Sequence, residues 1–152
     1  MKTGVISILI LLALCASSTF AQRSGTGLGV IVGEPTGISL KHWLSSTTAF
    51  DAAVAWSFAR ESSFHIHADY LIHSFDEFDT KESVPLYYGI GGRLKTSEHG
   101  DTRLGVRGVI GIAYLFREAP IDLFFEVAPI LDVAPTTELS FNGGFGARYY
   151  FR

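Results

Sequence analysis

Ala49-Phe50-Asp51-Ala52-Ala53-Val54-Ala55-Trp56-Ser57-Phe58 reads with a period of two. Phe50, Ala52, Val54, Trp56 and Phe58 fall on one side, and Ala49, Asp51, Ala53, Ala55 and Ser57 on the other. Successive side chains of a β-strand point to opposite faces, so this stretch is a strand with one greasy face and one small-polar face. Phe64-His65-Ile66-His67-Ala68-Asp69-Tyr70-Leu71-Ile72-His73 repeats the pattern with histidines and an aspartate on the polar side. Leu104 to Tyr114 does the same. In the last segment Leu139, Phe141, Phe145, Tyr149 and Phe151 share one face, and Ser140, Asn142, Gly144, Gly146, Arg148 and Tyr150 the other.

Extended along the chain, the alternation predicts eight strands, at 25–33, 36–44, 47–58, 63–73, 84–95, 103–115, 120–130 and 138–151. Turn-forming pieces separate them: Gly33-Glu34-Pro35, Ser45-Ser46-Thr47, Ala59 to Ser62, Thr96 to Thr102, Arg117 to Pro120, and Leu131 to Thr137. The longest connection, Ser74 to Ser83, carries four acids and one lysine.

The question is which face is wet. A soluble sandwich solvates its polar face with Lys, Glu and Thr. Here that face is mostly Gly, Ala and Ser with single charges, which suits the crowded interior of a narrow barrel. The continuous, aromatic-rich greasy face suits lipid. Strands can span a bilayer only in a closed barrel, because an open edge leaves amides unpaired in hydrocarbon. The expected fold is therefore all-β: an antiparallel up-and-down transmembrane barrel, greasy outside and polar inside.

Length sets its size. A spanning strand takes ~9–11 residues and bacterial barrels have even strand counts. Eight strands use about 88 residues and leave about 43 for connections and ends. Ten leave about 21 for nine connections, and twelve do not fit. An eight-stranded barrel has an interior just filled by side chains, so no open pore is expected.

The composition agrees. The chain has 152 residues, 47% of them hydrophobic and 18% charged, with a mean hydropathy of +0.28. From Val5 to Leu14 every residue but Ser7 is apolar, with Lys2 before and Ala16-Ser17-Ser18 after. With Ala21 at the cleavage point, residues 1–21 read as a secretory signal peptide and 22–152 as the barrel domain. A lipoprotein reading at Cys15 is weaker, because bulky Leu14 precedes it. The leader takes away the single cysteine, so disulfides cannot hold the exported chain. It also takes Lys2, leaving 11 of 12 Lys+Arg against 15 Asp+Glu. No basic stripe exists, which argues against nucleic acid as a partner.

Alternation places Lys41, Asp51, His65, His67, Asp69, Arg93, Arg107, Glu126 and Arg148 inside, with Asp122 near one end. Ionisable groups at membrane depth are expensive unless paired, so four cations against four carboxylates read as a structural lumen network. His65 and His67, two apart on a strand, point the same way and can chelate a metal if Asp69 or His73 joins them. A structural role is the expectation, and no cofactor or metal is assigned. Ser74 beside His73 and Asp76 is the serine adjacent to a histidine that a lipid-acyl hydrolase would need.

The chain closes on Ala147-Arg148-Tyr149-Tyr150-Phe151, then Arg152. A final strand ending in an aromatic resembles the signal that the barrel-assembly machinery reads, with Tyr149 and Phe151 as its aromatic positions. Further phrases extend the likeness: Gly33 to Gly37 with Lys41 and Trp43, His67 to His73, Tyr87 to Arg93, Phe125 to Pro129, and Arg148 to Phe151. Together they resemble a family of small bacterial outer-membrane proteins of the domain-of-unknown-function type. The resemblance covers nearly the whole chain after the leader and implies an eight-stranded barrel; it carries no activity and no catalytic residue.

The expected protein is thus a monomeric, non-enzymatic outer-membrane barrel. Its role is structural or surface-interacting, and its partners are outer-membrane lipids and, during biogenesis, the assembly machinery. A lipid-modifying enzyme and a small-ligand carrier on the same scaffold are the competing readings.

Overall fold

The computed structural model describes residues 23–58, 62–78 and 83–151. The expected signal peptide 1–21, the middle of the acidic connection and part of the 59–62 turn lie outside the described residues. Eight strands follow in order: β1 (Thr26–Glu34), β2 (Thr36–Trp43), β3 (Thr48–Ser57), β4 (Ser63–Ser74), β5 (Leu86–Ser97), β6 (Thr102–Leu115), β7 (Ile121–Ala134) and β8 (Glu138–Phe151). Each pairs antiparallel with its sequence neighbour, and β1 pairs with β8 from Thr26↔Phe151 to Glu34↔Gly143, closing the barrel. No helix among the described residues is long and apolar enough to cross a membrane.

Seven of the eight predicted strands agree with the observed ends to within a few residues. The exception is β7. Alternation ends it at 130 and predicts a turn over Leu131 to Thr137, but pairing with β8 continues to Asp132↔Glu138. Pro129 does not end the strand. It sits opposite Phe141 and faces outward, where the missing N–H is one among many ladder positions. The real connection is 135–137.

An even strand count places both described ends of the chain, with the connections 44–47, 75–85 and 116–120, at one end of the barrel, here called the terminal end. The distal end carries only short connections: Pro35, 58–62, 98–101 and 135–137. Gly100, with φ of +86°, turns β5 into β6 in a conformation that L side chains rarely adopt. The acidic connection between β4 and β5 therefore lies at the terminal end.

The two faces separate as alternation requires. Inward positions of β3 alternate buried Ala49, Asp51, Ala53, Ala55 and Ser57 with outward Phe50, Val54 and Trp56. All eight strands carry large apolar side chains outward, among them Val30, Ile38, Val54, Ile66, Ile90, Ile110, Phe125 and Phe145. Between the strand ends this outer face holds no Asp, Glu, Lys or Arg among the described residues. Aromatic pairs flank it. Trp56 and Phe64 meet edge to face at the distal end (5.5 Å), as do Tyr114–Phe116 (4.8 Å) and Tyr149–Phe151 (5.0 Å) at the terminal end.

Inside, Trp43, Ala49, Leu115 and Tyr150, with Phe75 packed against them, form an apolar cluster at the terminal end. A second cluster of Ile31, Leu71, Tyr87, Val109, Ala113, Phe124 and Ala128 lines the middle. Charged groups fill the space between and beyond them.

Candidate functional site in the lumen

All ten inward charges and histidines read from alternation are buried: Lys41, Asp51, His65, His67, Asp69, Arg93, Arg107, Asp122, Glu126 and Arg148. The structure adds Asp132, also buried, which the misplaced end of β7 had hidden. Its even number, shared with Asp122 and Glu126, was the available signal. The lumen thus holds five carboxylates rather than four, against four cations.

Two arginines organise the centre. Arg107 donates from Nε to Asp69 Oδ2 (2.8 Å) and from Nη2 to Glu126 Oε1 (2.7 Å). Arg148 donates from Nε to Asp122 Oδ1 (3.1 Å) and from Nη1 to Asp51 Oδ2 (2.6 Å). Each guanidinium therefore bridges two carboxylates on different strands. Its planar fork of five donors makes this possible, where a lysine ammonium would act as a point charge. Tyr87 donates its hydroxyl proton to Glu126 Oε2 (2.9 Å) and Tyr150 does the same for Asp122 Oδ2 (2.7 Å). The Arg148 guanidinium also lies over the Phe124 ring, 3.9 Å from its centroid.

Towards the distal end, Arg93 holds Asp132 through Nη2, 2.7 and 2.8 Å from the two carboxylate oxygens. Half-exposed Arg103 reaches Asp132 at 3.8 Å from the mouth and also pairs with Glu138.

Glycines let these groups meet. Arg93, Gly105 and Asp132 stand in one row across β5, β6 and β7, so arginine and aspartate join over a residue with no side chain. Asp69, Gly91 and Arg107 form a second such row across β4, β5 and β6. Tyr87, Gly111 and Glu126 form a third. A β-carbon at Gly91 would overlap Asp69 Oδ1, and one at Gly111 would overlap the Tyr87 ring and hydroxyl.

Lys41 departs from the expected network. It stands opposite Asp51 in register, yet no carboxylate among the described residues comes within ion-pair distance of it. Its ammonium instead lies 2.7 Å from His73 Nε2, with the Trp43 ring 4.5 Å away. The Thr47 carbonyl, 3.2 Å from His73 Nδ1, can only accept, so Nδ1 carries the proton and Nε2 accepts from Lys41.

The histidine pair divides. Ser63 Oγ is hydrogen-bonded to His65 Nε2 (3.0 Å) near the distal end. His67 sits deeper, beside a small cavity lined by Arg107, Glu126 and Asn142. His73 is four residues beyond Asp69 on the same face and belongs to the Lys41 contact instead. The serine next to it does not share its face: Ser74 Oγ donates to Glu77 at the terminal rim (3.1 Å), while His73 is buried in the lumen. Adjacent residues of a strand point apart, so Ser74 and His73 do not form a nucleophile–base pair. Tyr149 and Phe151 stand on the outer face at the end of β8.

No family model, curated protein or solved structure significantly matches this chain.

Two stability outcomes follow from the geometry. Glu126→Ala strands one arm of Arg107 and the Tyr87 hydroxyl in a closed interior, and should cost ~3–5 kcal/mol in urea unfolding of the refolded barrel. Exposed Glu77→Ala should fall within about 0.5 kcal/mol of the parent. Gly111→Ala should lose about 1–3 kcal/mol by overpacking against Tyr87. Outward Gly108→Ala, whose new methyl would meet Pro129 Cγ at an ordinary 3.7 Å, should not. Equal stabilities within either comparison would refute the assigned contacts.

Proposed function

We propose that the protein is an integral outer-membrane β-barrel with a structural role in the envelope, exported by its leader and anchored by its greasy exterior. The observation that carries this reading is the outer face. A water-soluble barrel would bring charges to it, whereas here eight strands present large apolar side chains outward and keep their charges in the lumen. Lipid is the solvent in which that distribution is stable. The aromatic pairs at both strand ends match the girdles such barrels set at the two membrane interfaces.

The lumen supports a closed barrel rather than a pore. Arg107, Arg148, Lys41 and Tyr87 span it, and the Trp43–Tyr150 cluster fills the terminal end. If the terminal end is periplasmic, the connections facing outward are the short ones, which favours an envelope role over adhesion through long loops. We extend the proposal to membership of the outer-membrane family that the sequence phrases resemble, to monomeric assembly, and to recognition of the final strand by the barrel-assembly machinery.

Fractionation and lipid unfolding test this reading. The protein should stay with outer membranes through high-salt and carbonate washes and migrate faster unheated than heated on gels. Recovery in the soluble fraction would overturn it. Ile110→Arg, at mid-strand on the outer face, should cost about 2–4 kcal/mol in vesicles. No loss would mean that the apolar face does not meet lipid.

A further inference from the structure

Asp51 and Asp69 stand directly opposite one another on β3 and β4, and both point into the lumen. Like charges at opposed cross-strand positions repel. Arg148 and Arg107 relieve this only in part, because each also serves a second carboxylate, Asp122 and Glu126. Four carboxylates share two guanidiniums. Lys41 adds a third positive charge nearby, but its ammonium is engaged by His73.

The unused donors point to what is missing. Asp69 commits Oδ2 to Arg107, while its Oδ1 is buried with no hydrogen-bond partner. His67, two residues earlier on the same face and 97% buried, likewise has an unpartnered Nδ1. One donor atom from each of Asp51, His67 and Asp69 lies within 4.8 Å of the others. Buried polar atoms of a folded protein are nearly always satisfied, so two unpartnered atoms on residues grouped with a second carboxylate, Asp51, call for a ligand.

We propose that Asp51, His67 and Asp69 form a binding site for a divalent first-row transition cation such as zinc or manganese. One imidazole nitrogen and two carboxylate oxygens are a donor set these ions accept. The cation offsets the repulsion between the opposed aspartates. Arg107 and Arg148 hold the outer oxygens and so aim the carboxylates, as hydrogen-bonded partners of metal ligands do elsewhere. The apolar cluster shuts the terminal end, so the ion enters as the barrel closes or through the distal mouth. The proposal rests on lumen geometry and does not depend on where the barrel resides.

The test uses the whole chain, refolded from urea into detergent micelles with Zn²⁺, with Mn²⁺, or with EDTA, then desalted and analysed for bound metal. The unsubstituted chain should retain about one equivalent of Zn²⁺ or Mn²⁺ and resist heat better than the EDTA-refolded sample. His67→Gln disturbs no ion pair and should fold, yet lose retention by roughly tenfold or more. His65→Gln, whose partner is Ser63, should retain the metal. Asp69→Asn should behave as His67→Gln, and if it does not fold, His67→Gln decides alone. The site is refuted if the unsubstituted chain retains neither ion, or if His67→Gln retains as much as it does.

Discussion

Two guanidiniums, each clamped between two carboxylates in an interior too narrow for bulk water, are the constraint on which the barrel depends. Breaking one contact does not return a charge to solvent; it leaves its partner buried and unpaired, which is far costlier than losing a surface ion pair. That cost explains the glycines beside the network. Arginine and carboxylate can meet over an intervening strand only where that strand offers no side chain, and Gly91 and Gly105 provide that space. The small residues and the large charged ones are therefore one design, with side chains from one strand filling volume that its neighbours leave open.

The same economy fixes the exterior. Volume in the lumen is taken up by Arg107, Arg148, Lys41, Tyr87 and Phe124, so the bulky apolar residues have only the outside to occupy. Hydrophobic residues facing outward would be a liability in water. Here, among the described residues, they alternate between the strand ends without a charged interruption, and the buried arginines and carboxylates that would otherwise need the surface are ion-paired within.

Much of this was legible in the sequence, because alternation reports which face a residue occupies and the net count of charges reports that they must pair. Every inward charge assigned from period two is buried. The pairings were not legible. Which strands lie across the lumen from one another depends on closure and tilt, so Arg107 rather than Arg148 as the partner of Glu126 emerges only in three dimensions. Lys41 is a further case. Its register neighbour is Asp51, yet Arg148 occupies that carboxylate from across the barrel, and the lysine turns to His73 instead. Asp132 was missed for a local reason: Leu131 to Thr137, which ends in Pro135-Thr136-Thr137, reads as a turn, although the pairing of β7 with β8 carries on to Asp132↔Glu138.

The charges also specify register, which period two alone cannot do. A slip of one residue between β5 and β6 would turn the greasy face inward, and the hydrophobic pattern forbids it. A slip of two preserves the faces and leaves that pattern satisfied. In the native register Arg93 stands opposite Gly105. Moving β6 by two residues in either direction would set Arg93 opposite Arg103 or Arg107, a like-charge pair without the bridging carboxylate. The same slips would withdraw Gly111 from Tyr87 and place Val109 or Ala113 there, closing the path by which the tyrosine reaches Glu126. Repulsion and lost space thus exclude the alternatives that hydrophobicity tolerates, and the buried ions select one barrel from those the alternating pattern would allow.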